Sequence, residues 1–164
     1  MSRSPNPRSP SPEKQSGSLR ARALRLLARR EHSRRELERK LAPCAGDAQE
    51  LEALLDEFTA RGWLREARVA EQVIHARRGR FGSARIREEL LARGVAEEVV
   101  ASMLSELRAG DLEAAIAVWR RKFRTPPTTS AERARQIRFL QGRGFALETI
   151  LKVIRSAGAD DENA

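Results

Sequence analysis

The stretch LLARGVAEE at residues 90–98 returns as LQGRGFALE at residues 140–148. Both copies begin with leucine, and both carry an Arg-Gly pair that is followed by an apolar residue. Self-similarity at a period of roughly 20–50 residues is typical of proteins built from repeated structural units. The chain is therefore predicted to be an array of small units, each burying apolar side chains against its neighbours.

The repeat extends through most of the chain. Residues 19–65 form a first copy, residues 66–108 a second and residues 109–158 a third. The apolar residues of the first two copies correspond in the order Leu37 and Ile86, Leu41 and Leu90, Leu51 and Val100, Leu54 and Met103, and Phe58 and Leu107. The second and third copies correspond at Val69 and Ala114, Ala70 and Ala115, and Val73 and Val118. Extra residues at 125–129 change the spacing within the third copy, as expected for an insertion in a loop.

Each copy is predicted to contain three helices. The 164 residues are rich in Leu, Ala, Arg and Glu, which favour helices, and lack the alternating runs that indicate strands. Capping boxes are predicted at residues 33–36 and 129–132, and Ser83 is predicted to cap another helix. Gly62 and Gly94 are expected to close helices in the left-handed conformation. The predicted fold is all-α, with three tandem three-helix repeats in an elongated, curved array.

The start and the end of the chain differ from the repeats. Residues 1–18 are rich in Pro and Ser and have almost no apolar residue, so they cannot bury enough surface to offset the entropy of ordering. They are predicted to be a disordered tail, either a plain leader or a DNA-seeking arm. Leu24, Leu27 and Ala28 are expected to form the apolar stripe of the first helix. Residues 159–164 are predicted to fray.

Charged residues are unevenly distributed along the chain. The net charge of +9 favours a polyanionic partner, either nucleic acid or an acidic protein surface, with simple solubility as the alternative. Pairs at helical spacing, Glu36 with Lys40 and Glu89 with Arg93, would neutralise part of this charge. The second and third copies also contain stretches rich in arginine and poor in acid. These stretches are predicted to form a basic band that contacts DNA or a protein filament through Arg77, Arg78, Arg80, Arg85, Arg87, Arg120, Arg121, Lys122, Arg124, Arg135 and Arg138.

Several classes of function have no support in the residues. Cys44 is the single cysteine, and His32 and His75 stand alone in the sequence, so neither a metal site nor a cofactor is expected. No nucleophile–base pair, carboxylate pair or Gly-rich phosphate loop is apparent, so an enzyme is not predicted. No segment has the length and apolarity of a membrane span, and no secretory signal is apparent, so the cytoplasm is the expected location. A DNA-reading helix-turn-helix at residues 83–107 is disfavoured because its second helix is acidic.

The segment EARVA at residues 66–70 and the segment GSARIREEL at residues 82–90, followed by Arg-Gly-Val, together resemble the central motif of the bacterial RecX family. That motif reads acidic-x-x-Phe-Ala, then Arg, then Gly-x-x-x-Ile-x-x-Glu-Leu-x-x-Lys/Arg-Gly-Ile/Val. Residues 139–154 resemble the third repeat of the family, and residues 33–41 resemble its opening Ser-x-x-Glu-Leu-x-x-x-Leu. The resemblance covers residues 19–157. Within the first segment this chain has Glu66 where the family usually has Asp, and Val69 where it usually has Phe.

The resemblance implies a non-enzymatic regulator of the RecA recombinase. Such proteins lie in the helical groove of the RecA–DNA filament and restrain ATP hydrolysis and strand exchange, which tunes recombination, DNA repair and the SOS response. A helical array with a basic band would contact the DNA backbone and the filament subunits together, and it would gain avidity only on an assembled filament. The chain is expected to act as a monomer. The alternative is a non-specific DNA-binding protein that acts through its basic face without RecA.

Overall fold

A computed structural model describes residues 17–161, and within them the chain forms nine α-helices, a short 3₁₀ turn and no β-strand. Residues 1–16 and 162–164 lie outside the described part, and most of the predicted disordered tail falls there. The first unit contains α1 (Leu19–Leu27), α2 (Arg34–Leu41), the 3₁₀ turn (Ala42–Cys44) and α3 (Ala48–Ala60). The second contains α4 (Glu66–Arg77), α5 (Ser83–Ala92) and α6 (Glu97–Ala109), and the third contains α7 (Asp111–Lys122), α8 (Ser130–Gly142) and α9 (Leu147–Asp161).

Short polar side chains begin the second helix of the first and third units. The box at the start of α8 is complete, because Thr129 Oγ1 accepts from the Glu132 amide and the Glu132 carboxylate accepts from the Thr129 amide. The box at the start of α2 is only half formed. Ser33 Oγ accepts from the Glu36 amide at 3.1 Å, but the Glu36 carboxylate pairs with Arg30. The prediction of a second complete box is therefore wrong, and an ion pair from the preceding corner replaces it.

Glycines in the left-handed conformation end three of the helices. The φ angles of Gly62, Gly94 and Gly144 are +69°, +77° and +85°. In each case the next amide reaches back across the last turn, as the Val95 amide does to the Leu90 carbonyl at 3.1 Å. This bond satisfies a helix-end carbonyl that would otherwise lack a partner. The left-handed closures predicted at Gly62 and Gly94 are confirmed.

Each unit has its own apolar core. Buried side chains form three separate clusters rather than one continuous interior. The first core holds Leu37, Leu41, Leu55 and Phe58, the second Val69, Ile86, Leu90 and Val100, and the third Val118, Trp119, Leu140 and Ile150. Complete burial of a side chain as large as Phe58 contributes about 1.5–3 kcal/mol. The all-α tandem-repeat fold predicted from the sequence is confirmed.

The first and second units meet where the start of α2 lies on the end of α5. Ser33 Oγ donates to the carbonyl of Arg93, and the aliphatic part of the Arg35 side chain lies directly over Gly94. A Cβ atom on Gly94 would come within 2.7 Å of the Arg35 Cβ atom. The glycine therefore serves two purposes, because it ends α5 and also lets the preceding unit approach.

The second and third units meet through the corresponding surfaces. The start of α5 lies on the end of α8, and the Gly82 amide donates to the carbonyl of Arg143 at 2.9 Å. A Cβ atom on Gly144 would lie 2.5 Å from the Arg85 Cβ atom, and one on Gly82 would overlap the Gly144 carbonyl. The segments that repeat most clearly in the sequence, around Gly94 and Gly144, are thus the docking points between successive units.

The helix cap predicted at Ser83 is wrong. Gly82 occupies the capping position of α5, and Ser83 is the first residue of the helix. The Ser83 amide and hydroxyl donate to the two carboxylate oxygens of Asp111 at 2.9 and 2.5 Å, and both residues are buried. Close packing of the two units requires glycine at the capping position, so a carboxylate from α7 provides the acceptor that a capping side chain would supply.

The apolar stripe predicted for α1 needs correction. Leu24 is 40% exposed and does not belong to the apolar stripe of α1, whereas Ala23 is buried in the core. The rotation that brings Ala23 inward lets Arg20 form a bidentate pair with Glu57 of α3, at 2.6 and 2.9 Å. At the other end, α9 extends to Asp161, and the fraying of residues 159–164 stays a prediction.

Candidate interaction surface

Most of the predicted cations of the second unit are paired with acidic side chains. Arg77 Nε lies 2.7 Å from Glu89 Oε2, and Arg93 Nη2 lies 2.7 Å from Glu89 Oε1. The hydrogen bond from Arg77, followed by that from Arg93, holds the pKa of the Glu89 carboxyl below its ordinary value against the opposing effect of burial. The predicted pair of Glu89 with Arg93 is confirmed. Glu36 is not available for the pair predicted with Lys40, because its carboxylate pairs with Arg30.

Three further cations of the second unit have acidic neighbours. The N···O distances are 2.5 Å from Arg87 to Glu97, 3.3 Å from Arg78 to Glu106 and 3.9 Å from Arg85 to Glu88. This stretch is poor in acid along the sequence, yet most of its arginines have acidic partners in space. Glutamates that follow the stretch in the sequence lie beside it in space, because α4, α5 and α6 pack against one another. Arg80 is exposed, and its carbonyl accepts a hydrogen bond from Arg143 Nη1 at 3.3 Å.

The cations of the third unit are arranged differently. Arg120 is exposed in the last turn of α7. Glu132 is the only acid between residues 114 and 147, and the Thr128 and Thr129 amides donate to its carboxylate. Five other predicted residues are exposed and make no ion pair with an acidic side chain of the described chain. We name them the third-unit cation cluster: Arg121, Lys122, Arg124, Arg135 and Arg138.

A buried hydrogen-bond chain fixes the corner that carries this cluster. Trp119 Nε1 donates to Gln136 Oε1 at 2.7 Å, and Gln136 Nε2 donates to the carbonyl of Thr125 at 3.3 Å. Gln136 is 3% exposed and lies in the middle of α8, so it links the core of the third unit to the loop between α7 and α8. Buried polar groups of this kind are costly unless paired, and here both ends of the amide have partners.

Arg124 has an unusual backbone conformation within this corner. Its φ angle is +64°, and it is the only residue other than glycine with a positive φ in the described chain. The left-handed conformation costs an ordinary L-residue on the order of 1–2 kcal/mol. The bond from Gln136 to the neighbouring Thr125 carbonyl helps to hold the turn in place.

Two phenylalanines bring the cations of α7 and α8 together. The rings of Phe123 and Phe139 meet edge to face with centroids 5.2 Å apart. The Arg135 guanidinium lies 5.9 Å from the centre of the Phe123 ring, so α8 places one cation over the end of α7. Arg121 and Lys122 line a shallow cleft together with Phe139. Three residues of the cluster, Arg121, Lys122 and Arg135, therefore lie beside this pair of rings.

Arg143 lies at the junction between the second and third units, a contact that the sequence did not predict. Its guanidinium lies between two rings, 5.4 Å from the centre of Phe81 and 5.1 Å from the centre of Phe139. It also donates to the carbonyl of Arg80 across the junction between the second and third units. Its recurrence in the repeated Arg-Gly pair was the available signal. The structure places this cation at a junction, where it stabilises the packing of two units.

The described residues have few features that point to metal binding, to small-molecule binding or to membrane insertion. No group of three His, Cys, Asp or Glu side chains there could hold a metal ion. A cleft of about 370 Å³ between α4 and α6 has an apolar floor of Ile74, Met103 and Leu107, with the charged residues Glu71 and Arg78 at its rim. None of the described helices combines the length and apolarity needed to cross a bilayer.

Comparison with known sequences matches all three units. Residues 20–56, 66–104 and 109–154 match the models of the first, second and third three-helix domains of RecX. The chain is 50% identical over 127 residues to the regulatory protein RecX of Leptothrix cholodnii, which covers 77% of this chain and 81% of that protein. It is 44% identical over 123 residues to the regulatory protein RecX of Ralstonia nicotianae, covering 75% and 77% of the two chains.

Comparison with solved structures matches the fold. The crystal structure of RecX from Lactobacillus salivarius superimposes with a TM-score of 0.70 at 15% identity, covering 86% of this chain and 95% of that one. A second crystal structure of a regulatory protein RecX gives a TM-score of 0.66 at 17% identity, covering 84% and 71%. The three-unit architecture, the matched domains and the sequence identities together place this chain in the RecX family of regulatory proteins.

Proposed function

We propose that the protein binds the RecA–DNA filament as a monomer in the cytoplasm and restrains ATP hydrolysis and strand exchange by RecA. The match of all three units to RecX domains is the observation that carries this proposal. Relatives with 44–50% identity bear the name regulatory protein RecX, which points to a regulatory role connected with RecA. The role is non-enzymatic, and the chain acts through its surface.

The tandem architecture supports binding to a polymer rather than to a single globular partner. The three units have separate cores and are joined by repeated docking contacts, so each unit offers its own surface to a partner. The units also differ in the charge that they present. The third helix of the first unit is acidic, whereas the third unit carries the cation cluster. Weak contacts made by several units at once give high avidity only where the partners are held at fixed spacing, as in a filament.

RecA-dependent ATP hydrolysis on single-stranded DNA tests the proposal. The full chain is added at substoichiometric amounts to preassembled filaments, and the hydrolysis rate is followed over time. The rate is expected to fall well below the rate with buffer alone, because one protein would contact several protomers. An unchanged rate at amounts up to one protein per RecA would contradict the proposal.

A direct, RecA-independent role in DNA binding is the second candidate. The cation cluster of the third unit favours it, because cations without acidic partners bind phosphates through contacts that do not depend on sequence. Gel shifts with bare DNA at several salt concentrations test this function. Strong binding to bare DNA together with no effect on RecA would favour this second candidate over the first.

A further inference from the structure

We infer that the third-unit cation cluster is the part of this protein that contacts the phosphate backbone of a nucleic-acid strand, and that the second-unit cations are structural. The inference deepens the proposed function. It rests on that function only in assuming that the strand belongs to the RecA–DNA filament. Ten of the eleven residues of the predicted basic band thus fall into two groups with different roles, five in the second unit and five in the cluster, and Arg120 is assigned to neither.

Ion pairing separates the two groups. Arg77, Arg78 and Arg87 each have a glutamate within 3.3 Å, so their charges are partly neutralised within the second unit. The cluster residues make no ion pair within the described chain, although the charge of Arg135 acts on Glu132, whose carboxylate accepts from the Thr128 and Thr129 amides. A phosphate approaching the second unit would compete with carboxylates that are ion-paired with its arginines, whereas one approaching the cluster would displace no ion pair.

The corner between α7 and α8 holds the cluster in place. The buried chain from Trp119 through Gln136 to the Thr125 carbonyl ties the loop to the core. Arg124 keeps a left-handed backbone in this loop, although glycine would adopt the same conformation without strain. Strained residues are concentrated at functional positions, which directs attention to the side chain that this position carries. That side chain is an exposed guanidinium.

The composition of the surface favours a nucleic-acid backbone over an acidic protein. Protein interfaces have an apolar centre, and the large exposed apolar side chains of the described chain lie elsewhere, at Leu24, Trp63, Leu112 and Leu147. Phe123 and Phe139 are only partly exposed, and they pack edge to face beneath the arginines. They therefore offer no open ring for base stacking. The surface can contact phosphates and has nothing with which to read bases.

Salt dependence of strand binding by matched triple variants tests the inference. Fluorescence anisotropy measures binding of the full chain to fluorescein-labelled oligo(dT) over a series of NaCl concentrations. The cluster variant is Arg121→Gln with Arg124→Gly and Arg138→Gln, and glycine at residue 124 keeps the backbone conformation. The control variant, Arg78→Gln with Arg85→Gln and Arg87→Gln, removes the same charge from the second unit.

The slope of log K against log salt distinguishes the two groups. Each phosphate contact contributes about 0.7 to this slope for a single strand, so the cluster variant should lose about 2. The control variant should keep the wild-type slope within about 0.7. The weakening should be equal on oligo(dT) and on a strand of mixed sequence. Circular dichroism should show the same helicity in all three proteins.

Several outcomes would overturn the inference. They are an absence of salt-dependent binding by the wild type, a wild-type slope in the cluster variant, and an equal loss of slope in the control variant. A cluster variant that binds oligo(dT) normally but no longer slows RecA ATP hydrolysis would show that the surface contacts protein instead. If the slopes change as expected while the wild type has no effect on RecA, the inference stands and the proposed function fails. If the wild type slows RecA and the cluster variant keeps its slope, only the inference fails.

Discussion

A hydrogen atom in place of a side chain lets two units touch at Gly82. The Gly144 carbonyl occupies the position where a Cβ atom would lie, and the Gly82 amide donates to the neighbouring Arg143 carbonyl. Two backbones thus approach each other directly, without intervening side chains. Small changes of volume at such a contact must be absorbed by moving one unit relative to the other.

Gly82→Ala is expected to lower the free energy of unfolding by about 1–3 kcal/mol, because the added methyl group forces the second and third units apart. Urea unfolding followed by circular dichroism measures the loss. Gly142→Ala is the matched control. Gly142 ends α8 with no atom within 4 Å of the Cβ position, and alanine there should stabilise the helix by about 0.5–1 kcal/mol. Equal stability of the two variants would contradict the docking contact.

His32 gives the first unit a predictable response to acid. Its ring is buried, Nδ1 lies 2.9 Å from the carbonyl of Arg30, and Nε2 lies 3.4 Å from Lys40 Nζ. Nδ1–H therefore donates to the carbonyl, and neutral Nε2 can accept from the ammonium group. Burial lowers the pKa of the imidazole below its ordinary value, although the hydrogen bond to the Arg30 carbonyl and, more weakly, the Glu36 carboxylate oppose this effect.

The free energy of unfolding is expected to fall as the pH drops from about 7 to about 5. In this range the unfolded chain, with an imidazole pKa of about 6.5, takes up the proton before the folded chain does. The contribution of His32 is thus fully present above the unfolded pKa and is lost as the pH falls toward the lower folded pKa. His32→Gln should lose less stability over the same range in urea unfolding. Equal losses by the two proteins would show that His32 does not titrate in this way.

At the scale of helices, the sequence predicts where elements begin better than it predicts which group caps them. Apolar spacing and glycine positions indicate all three helices of each unit, because those signals act within one or two turns. The partner of Ser83 could not be predicted, since Asp111 belongs to the next unit and reaches α5 only through tertiary packing. Glu36 pairs with Arg30 of the preceding corner instead of completing its box, because a nearby guanidinium competes with the Ser33 amide for its carboxylate.

Asp111→Ala is expected to leave two buried donors of Ser83 without an acceptor, each at a cost of about 1–3 kcal/mol. Asp111→Asn keeps one acceptor oxygen and should cost less. Glu113→Ala is the matched control, because it removes an exposed acid from the same first turn of α7. Thermal unfolding followed by circular dichroism ranks the three variants. Equal melting temperatures of the Asp111→Ala and Glu113→Ala variants would show that the link from α7 to α5 does not stabilise the fold.

At the scale of the whole molecule, three small cores behave as one body only as long as their junctions hold. Each junction consists of a few backbone contacts and close packing around a glycine. In repeat proteins the stability of the whole is approximately the sum of unit and interface terms. Weakening one interface is therefore expected to separate the unfolding of its neighbours.

Gly144→Val is expected to uncouple the third unit, because a β-branched residue tolerates a positive φ poorly and its Cβ atom would meet Arg85. The chain has two tryptophans, Trp63 beside the first core and Trp119 in the third. In the Trp63→Phe background the fluorescence of Trp119 reports the third unit. In the Trp119→Phe background the fluorescence of Trp63 reports the first unit. With glycine at residue 144, the first and third units should have the same urea midpoint. With valine there, the two midpoints should differ, and the third unit should unfold first. Coinciding midpoints in the valine variant would contradict the uncoupling.

The number of units, their helical composition and the family resemblance can all be deduced from the order of the amino acids. These properties depend on local apolar spacing, on glycines at helix ends and on motifs that one stretch of chain contains. Which cations are neutralised depends instead on how the helices pack. Arg77 lies in an acid-poor stretch of sequence, yet packing places it beside Glu89, whereas Arg124 has no acidic neighbour in the described chain. Charge pairing acts through space over a few ångströms, and distance along the chain does not measure it.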